Sequence, residues 1–216
     1  MDVPATRDKI LEATLAHVAF DGWTQAALKA GVKDAGFRRE MALRAFPGGV
    51  PELVEHFADW ADRRMLAALE KRNLAPMKVR ERVAAAVRAR LGALSPYREA
   101  VRRLLAYLAL PGHAGLAAKL TWRTANAVWY AAGDTATDFN YYTKRALLVP
   151  VYTTTVLYWL SDDSDGFAET WGYLDRRIAD VMRIPKLTAG VRDAFGRLPS
   201  PFGLLRRTRA GRSAGR

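Results

Sequence analysis

The feature that most constrains this chain is that its hydrophobic pattern repeats with the helical period wherever a period can be read. Ile10, Leu11, Thr14, Leu15 and Val18 recur at the spacing that puts side chains on one helical face. Leu53, Val54, Phe57, Trp60, Ala61, Met65, Ala68 and Leu69 do the same further along. Between such runs stand helix stops: Asp21-Gly22, Gly31, Phe46-Pro47-Gly48-Gly49, Pro76, Pro111-Gly112, Gly133-Asp134 and Ser161–Gly166. The punctuation predicts helices over about 6–19, 25–30, 38–45, 51–72, 78–94, 95–110, up to 132, 137–160 and 167–184. Pro51 fits a first turn, and Pro150 falls inside a helix and should kink it. No period-2 run bounded by hairpin turns is present. The fold class is all-α, and with half the residues hydrophobic the helices can close a core.

Residues that carry chemistry are sparse. The absence of cysteine removes disulfides, thiolate metal sites and thiol nucleophiles together. His17, His56 and His113 lack ligand spacing, no Glu-x-x-His pair is present, and Asp163-x-Asp165-Gly166 is only a fragment of a calcium loop. Neither a phosphate-binding glycine loop nor a nucleophile elbow occurs. The expectation is a protein that is not an enzyme, with no catalytic residues, no metal and no cofactor.

The net charge of +12 is unevenly placed. Residues 61–110 carry twelve Lys/Arg against four Asp/Glu, and residues 183–216 carry nine against one. The first sixty residues carry seven against nine and are slightly acidic. In the basic tail, Leu187, Val191, Phe195 and Leu198 share one helical face, and Phe202, Leu204 and Leu205 extend the apolar content ahead of five arginines. An amphipathic helix followed by a basic cluster suits an anionic membrane surface, each basic residue contributing about 1 kcal/mol. No stretch reaches the roughly 20 apolar residues of a spanning helix. Met1 runs almost directly into the first helical pattern, so no targeting leader is expected.

The first three helices have the lengths of a TetR-like helix-turn-helix, with Arg38, Arg39 and Arg44 available for phosphates. The acidity of the segment argues against DNA binding, and Met41-Ala42-Leu43 stands where an aromatic is usual in that fold. The richest stretch is aromatic. Trp122 and Trp129 share a face; Trp129 and Tyr130 point roughly 100° apart, so one buried stripe cannot hide both. Core packing is expected for Trp122, Phe139 and Tyr142. An exposed aromatic beside Asp134 and Lys144 has the makings of an interface.

The run 129–134, Trp-Tyr-Ala-Ala-Gly-Asp, and the run 137–145, Thr-Asp-Phe-Asn-Tyr-Tyr-Thr-Lys-Arg, resemble the signature of a ubiquinone-biosynthesis accessory family, the ninth Coq protein. Residues 17–23, 45–49, 61–65 and 170–174 are similar to it as well, so the resemblance covers about 6–185. It implies a TetR-like helical bundle, commonly dimeric, with a degenerate helix-turn-helix over 1–50. A lipid- and partner-binding body over 51–185 and a membrane-associating amphipathic helix with a basic tail over 186–216 complete the expected organisation. It implies binding of an isoprenoid quinone or other lipid, and help to the di-iron demethoxyubiquinone hydroxylase. Trp129 and Tyr130 match the family's patch for that hydroxylase; Asp134, Asp138, Tyr141, Lys144 and Arg145 match other motif positions, Tyr141 replacing a frequent Trp. Leu147, Val151, Val156 and Trp159 are the expected lipid-cavity residues, with the kink at Pro150 opening room. The expected function is a non-catalytic accessory protein that presents polyprenyl quinone intermediates to the hydroxylase. The expected location is the bacterial cytoplasm, peripheral on the cytoplasmic face of the inner membrane. A TetR-type ligand-responsive repressor and a purely structural membrane adaptor are the alternatives.

Overall fold

A computed structural model describes residues 3–134 and 139–196. The chain divides into two compact units, residues 1–178 and 179–216. The first opens with α1 (Val3–Asp21), α2 (Gln25–Asp34) and α3 (Met41–Ala45). The buried residues of α1 are Ile10, Leu11, Thr14, Leu15 and Val18, the set its period marks. Thr24 caps α2 by accepting the Ala27 N–H at 3.2 Å. Gly31 lets α2 approach α1 closely, because a Cβ there would collide with the Thr14 side chain. The third helix is shorter than expected. Residues 38–40 form turns, with the Met41 N–H bonded to the Arg38 carbonyl at 2.9 Å.

Gly49, at φ 65°, turns the chain into α4 (Val50–Glu70), which starts with Pro51 in its first turn. Its buried face, with Leu53, Phe57, Trp60, Ala61, Met65 and Leu69, is the unit's central wall. Against it packs α5 (Val79–Leu94), where the small side chains Ala85 and Ala86 permit a close approach. The Lys78 N–H bonds the Glu81 carboxylate at 2.9 Å at the start of α5. The helix α6 (Arg98–Leu108) buries only Ala100 and Val101. It is tied down at its N-terminal end instead. Arg98 donates to the Trp159 and Asp162 carbonyls at 2.8 and 3.0 Å, Arg102 to the Leu160 carbonyl at 2.9 Å, and the Trp23 indole donates to the Ala100 carbonyl at 3.0 Å.

The helices α7 (Ala114–Ala131) and α8 (Phe139–Ser161) pack on one another, and α7 also packs on α4 and α5. The helix α8 runs on through Pro150, which lies on its exposed side. Asp162 joins α8 to α9 (Ala168–Gly196). Its carboxylate accepts the Ser164 N–H at 2.8 Å, the Thr170 N–H at 2.9 Å and the Thr170 hydroxyl. Burial works to raise its pKa, but these donors prevail and hold it well below the usual carboxylate range. The helix α9 extends through Pro185 to Gly196, beyond the end expected near 184: the proline removes one backbone donor, and the helix continues past it. Residues 179–196 of α9 are the described part of the second unit. Leu187, Val191 and Phe195 lie on this helical stretch, whereas Leu198, Phe202, Leu204 and Leu205 lie outside the described residues. Among the described residues no helix is long and apolar enough to cross a membrane.

Candidate functional site: a cavity and an aromatic corner

Between α4, α5, α6, α7 and α8 lies a cavity of about 90 Å³. Its apolar wall includes Phe57, Leu94, Val101, Leu104, Leu105, Leu108, Leu120 and Val156. Its polar residues are Arg90, Thr121, Thr124, Tyr152 and Thr153. The α6 leucines are half-exposed, so the cavity opens past that helix. The Thr121 and Thr153 hydroxyls donate back to the Ala117 and Val149 carbonyls, leaving lone pairs and no free hydrogen.

Arg90 is the unusual member. Its side chain is 6% exposed, its Nε donates to the Asp62 carboxylate at 2.7 Å, and its Nη1 donates to the Tyr152 hydroxyl. Burial disfavours its charge, but Tyr152 and Asp62 outweigh that and raise its pKa, so it stays a guanidinium. Burial also pushes the Tyr152 phenol up, keeping it neutral. Asp62 Oδ2 is buried and accepts no hydrogen bond. Outward from this pair runs a ladder of alternating charges. Arg123 lies 4.0 Å from Asp62 and bonds Asp59; Asp59 meets Arg63 at 3.0 Å; Arg63 meets Asp8 at 2.7 Å; and Asp8 meets His56 at 2.8 Å. Three arginines face three aspartates, so the ladder is electrically balanced.

The second feature is the joint between α7 and α8. Trp129 is 7% exposed, its indole N–H donates to the Lys144 carbonyl at 3.0 Å, and the Lys144 ammonium lies 5.5 Å from its ring centre. Lys144 and Arg145 bond the two oxygens of Asp134 at 2.7 and 3.1 Å. Arg145 also donates to Asn126 Oδ1 at 2.8 Å and the Tyr141 carbonyl at 3.0 Å, and lies 3.4 Å from the Tyr141 ring centre. The Tyr141 hydroxyl donates to Asn126 at 3.0 Å. What faces solvent here is Tyr130, 72% exposed, and Tyr142, 60% exposed.

The structure therefore brings Trp129, Asp134, Tyr141, Lys144 and Arg145 into one cluster, with Tyr130 beside it. Asp138 lies outside the described residues, as does the side chain of Phe139. Two expectations are corrected. Trp129 is buried rather than exposed, because α8 packs over the last turns of α7. Tyr142 is exposed rather than core, although it stacks on half-buried Trp122 at 6.3 Å. Of the four residues expected at the cavity, Val156 lines it. Val151 and Trp159 are buried elsewhere, Trp159 against Phe167 and Arg98, and Leu147 is half-buried outside the lining. The face that α8 turns to the cavity is Tyr152, Thr153 and Val156. Sequence reasoning missed Arg90 and Asp62, yet a signal existed. Arg90 follows Val83, Ala86 and Val87 on the apolar stripe of α5, and Asp62 sits between Ala58 and Met65 on that of α4. Opposite charges on two facing apolar stripes point to a buried pair.

Residues 114–185, which span α7, α8 and the first part of α9, match the COQ9 family model. The chain is 32% identical over 202 residues to the ubiquinone biosynthesis protein COQ9, mitochondrial, of Drosophila melanogaster, and 33% identical over 183 residues to that of Homo sapiens. These alignments take in 90% and 82% of this chain. The chain belongs to the COQ9 family. It spans 62% and 57% of the length of those two relatives. They are named mitochondrial proteins, which overturns the expectation of a bacterial inner-membrane location. Among solved structures, a TetR transcriptional regulator from Nitrosomonas europaea superposes with a TM-score of 0.65 at 21% identity, covering 82% of this chain and 97% of that one. The fold is all-α and TetR-like.

Proposed function

We propose that this protein is a non-catalytic accessory protein of ubiquinone biosynthesis that binds a polyprenyl quinone intermediate and presents it to the demethoxyubiquinone hydroxylase at a membrane. The observation that carries the reading is the cavity, an apolar enclosure with a buried and charge-balanced polar end, which suits an apolar molecule bearing a polar ring. At about 90 Å³ it has the volume of about three waters, enough for part of a head group and far less than a polyprenyl chain. The chain of the lipid then lies past the half-exposed leucines of α6 or requires that helix to move. Tyr130 and Tyr142, two exposed aromatics on a rigidly braced joint, have the composition of a docking surface for the hydroxylase. The amphipathic stretch beyond Ile184 supplies the membrane contact, and a homodimer is the assembly the family resemblance implies.

Native mass spectrometry of the purified protein, with lipid extraction of the same sample, tests the lipid half of the reading. Copurified isoprenoid quinone is the expected result; a protein that takes up no quinone even when supplied with it in vesicles sinks the proposal. For the partner half, Tyr130→Lys should weaken hydroxylase capture at unchanged melting temperature, and undiminished capture removes the patch.

A further inference from the structure

We propose that Arg90, held by Asp62 and Tyr152, is the head-group discriminator of the cavity, selecting lipids with an uncharged carbonyl-bearing ring over prenyl diphosphates. The inference rests on the lipid-binding reading above and adds which residue sets its specificity and against what.

A guanidinium carries five N–H donors in a fixed fork. Arg90 places Nε on Asp62 and Nη1 on the Tyr152 hydroxyl, and its Nη2 donates to no described residue. The side chain is almost fully buried and lines the cavity, and its Nη2 is not sealed from solvent, so a bound molecule must supply an acceptor in place of the water it displaces from this edge. Its surroundings offer little else. The Thr121 and Thr153 hydroxyls donate to their own helix carbonyls and accept no bond from Arg90, and most of the remaining wall is aliphatic or aromatic. An acceptor on a bound molecule completes Arg90, and a ring carbonyl is the acceptor that also tolerates the apolar wall.

Charge decides between carbonyl and phosphate. Asp62 already neutralises Arg90, and the next positive group, Arg123, is engaged by Asp59 and stands 4.0 Å from Asp62. Beyond it Arg63 is matched by Asp59 and Asp8. A diphosphate entering this cavity loses its hydration and meets no unbalanced positive charge, a cost that a single donor edge does not offset. A neutral carbonyl loses far less on entering and gains a charge-assisted hydrogen bond. Tyr152 contributes by position: its phenol is neutral and fixes the plane of the guanidinium, so the free edge has a defined direction.

The test uses the full chain and three probes of comparable tail length: decyl-benzoquinone, farnesol and farnesyl diphosphate, each titrated by intrinsic tryptophan fluorescence. Wild type should bind the quinone more tightly than the alcohol and the diphosphate most weakly. Arg90→Lys retains the charge opposite Asp62 while removing the fork, so it should still fold, which its melting curve verifies. It should lose about tenfold or more in quinone affinity, the worth of one charge-assisted hydrogen bond, with farnesol affinity unchanged. Tyr152→Phe should lower quinone affinity less and in the same direction. Equal losses for quinone and farnesol in Arg90→Lys reduce Arg90 to a structural role and overturn the proposal. Tighter binding of the diphosphate than the quinone by wild type overturns it too. If wild type binds none of the three, the lipid-binding reading itself falls and takes this inference with it.

Discussion

Two buried arginine–aspartate pairs organise this molecule, and they differ in what surrounds the arginine. At the α7–α8 joint, Arg145 donates from Nε to Asn126 and from Nη1 to Asp134 and the Tyr141 carbonyl, and its guanidinium lies over the Tyr141 ring. In the cavity, Arg90 reaches Asp62 and Tyr152 and lines open space instead of being covered by a ring. Removing charges from water is costly in both places, and more protein groups offset that cost in the first, where a second cation, Lys144, and a tyrosine ring join the pair. The first pair fixes backbone geometry. The second borders the cavity in which the proposed ligand would sit.

That contrast can be broken most decisively at Arg145. Arg145→Met should destabilise the fold by about 3–5 kcal/mol, since it removes one of the cations bonded to Asp134 together with the guanidinium bonds to Asn126 and the Tyr141 carbonyl; a urea denaturation midpoint close to wild type shows that the joint is not held this way. Next in size, Trp129→Lys should cost about 3 kcal/mol because it buries an amine where an indole packs and bonds the Lys144 carbonyl, whereas Tyr130→Lys one residue on should stay within about 0.5 kcal/mol. Similar losses at both positions contradict the split between a buried brace and an exposed face. The double change Asp62→Leu with Arg90→Met, which swaps the cavity pair for apolar groups, should leave stability within about 1 kcal/mol of wild type. The matching double change at Asp134 and Arg145 should remain clearly destabilised, because the Tyr141 and Asn126 bonds go with it.

The smallest effect concerns the outer end of the charge ladder. Burial, then Arg7, lowers the His56 pKa below its ordinary 6.5 despite its bond to Asp8. The unfolded chain therefore takes up this proton before the folded one does. The stabilisation is complete above about 6.5 and declines as the pH falls toward the lower folded value. His56→Gln should flatten that segment of the stability–pH curve, and an unchanged slope assigns it to other groups.

Helix positions were largely legible in the sequence because period and punctuation are local signals, and the buried faces of α1 and α4 match the marked residues. The end of α9 was not: the punctuation predicts a helix over 167–184, and the helix runs on through Pro185 to Gly196. At the joint, the motif residues were recognised but their orientation was not. Whether Trp129 or Tyr130 is hidden depends on where α8 packs, a contact no helical period records. The cavity's polar end escaped for the same reason: Arg90 reads as one more charge in a basic helix until Asp62, 28 residues earlier, is placed opposite it. Of the expected cavity residues only Val156 faces it, because two neighbouring stripes of α8 are both apolar and only packing distinguishes them.

The arginines that fasten α6 to the end of α8 give that helix two unlike halves. Arg98 and Arg102 fix its first turns to three carbonyls, and Ala100 and Val101 are buried beneath them. Leu104, Leu105 and Leu108 in its last turns only border the cavity mouth. Local opening therefore requires less free energy at the C-terminal half, so backbone amides there should exchange hydrogen for deuterium sooner than those nearer the anchor. On the proposed lipid-binding reading, such opening would make the helix a hatch hinged at the arginines, with the far side of the enclosure staying closed.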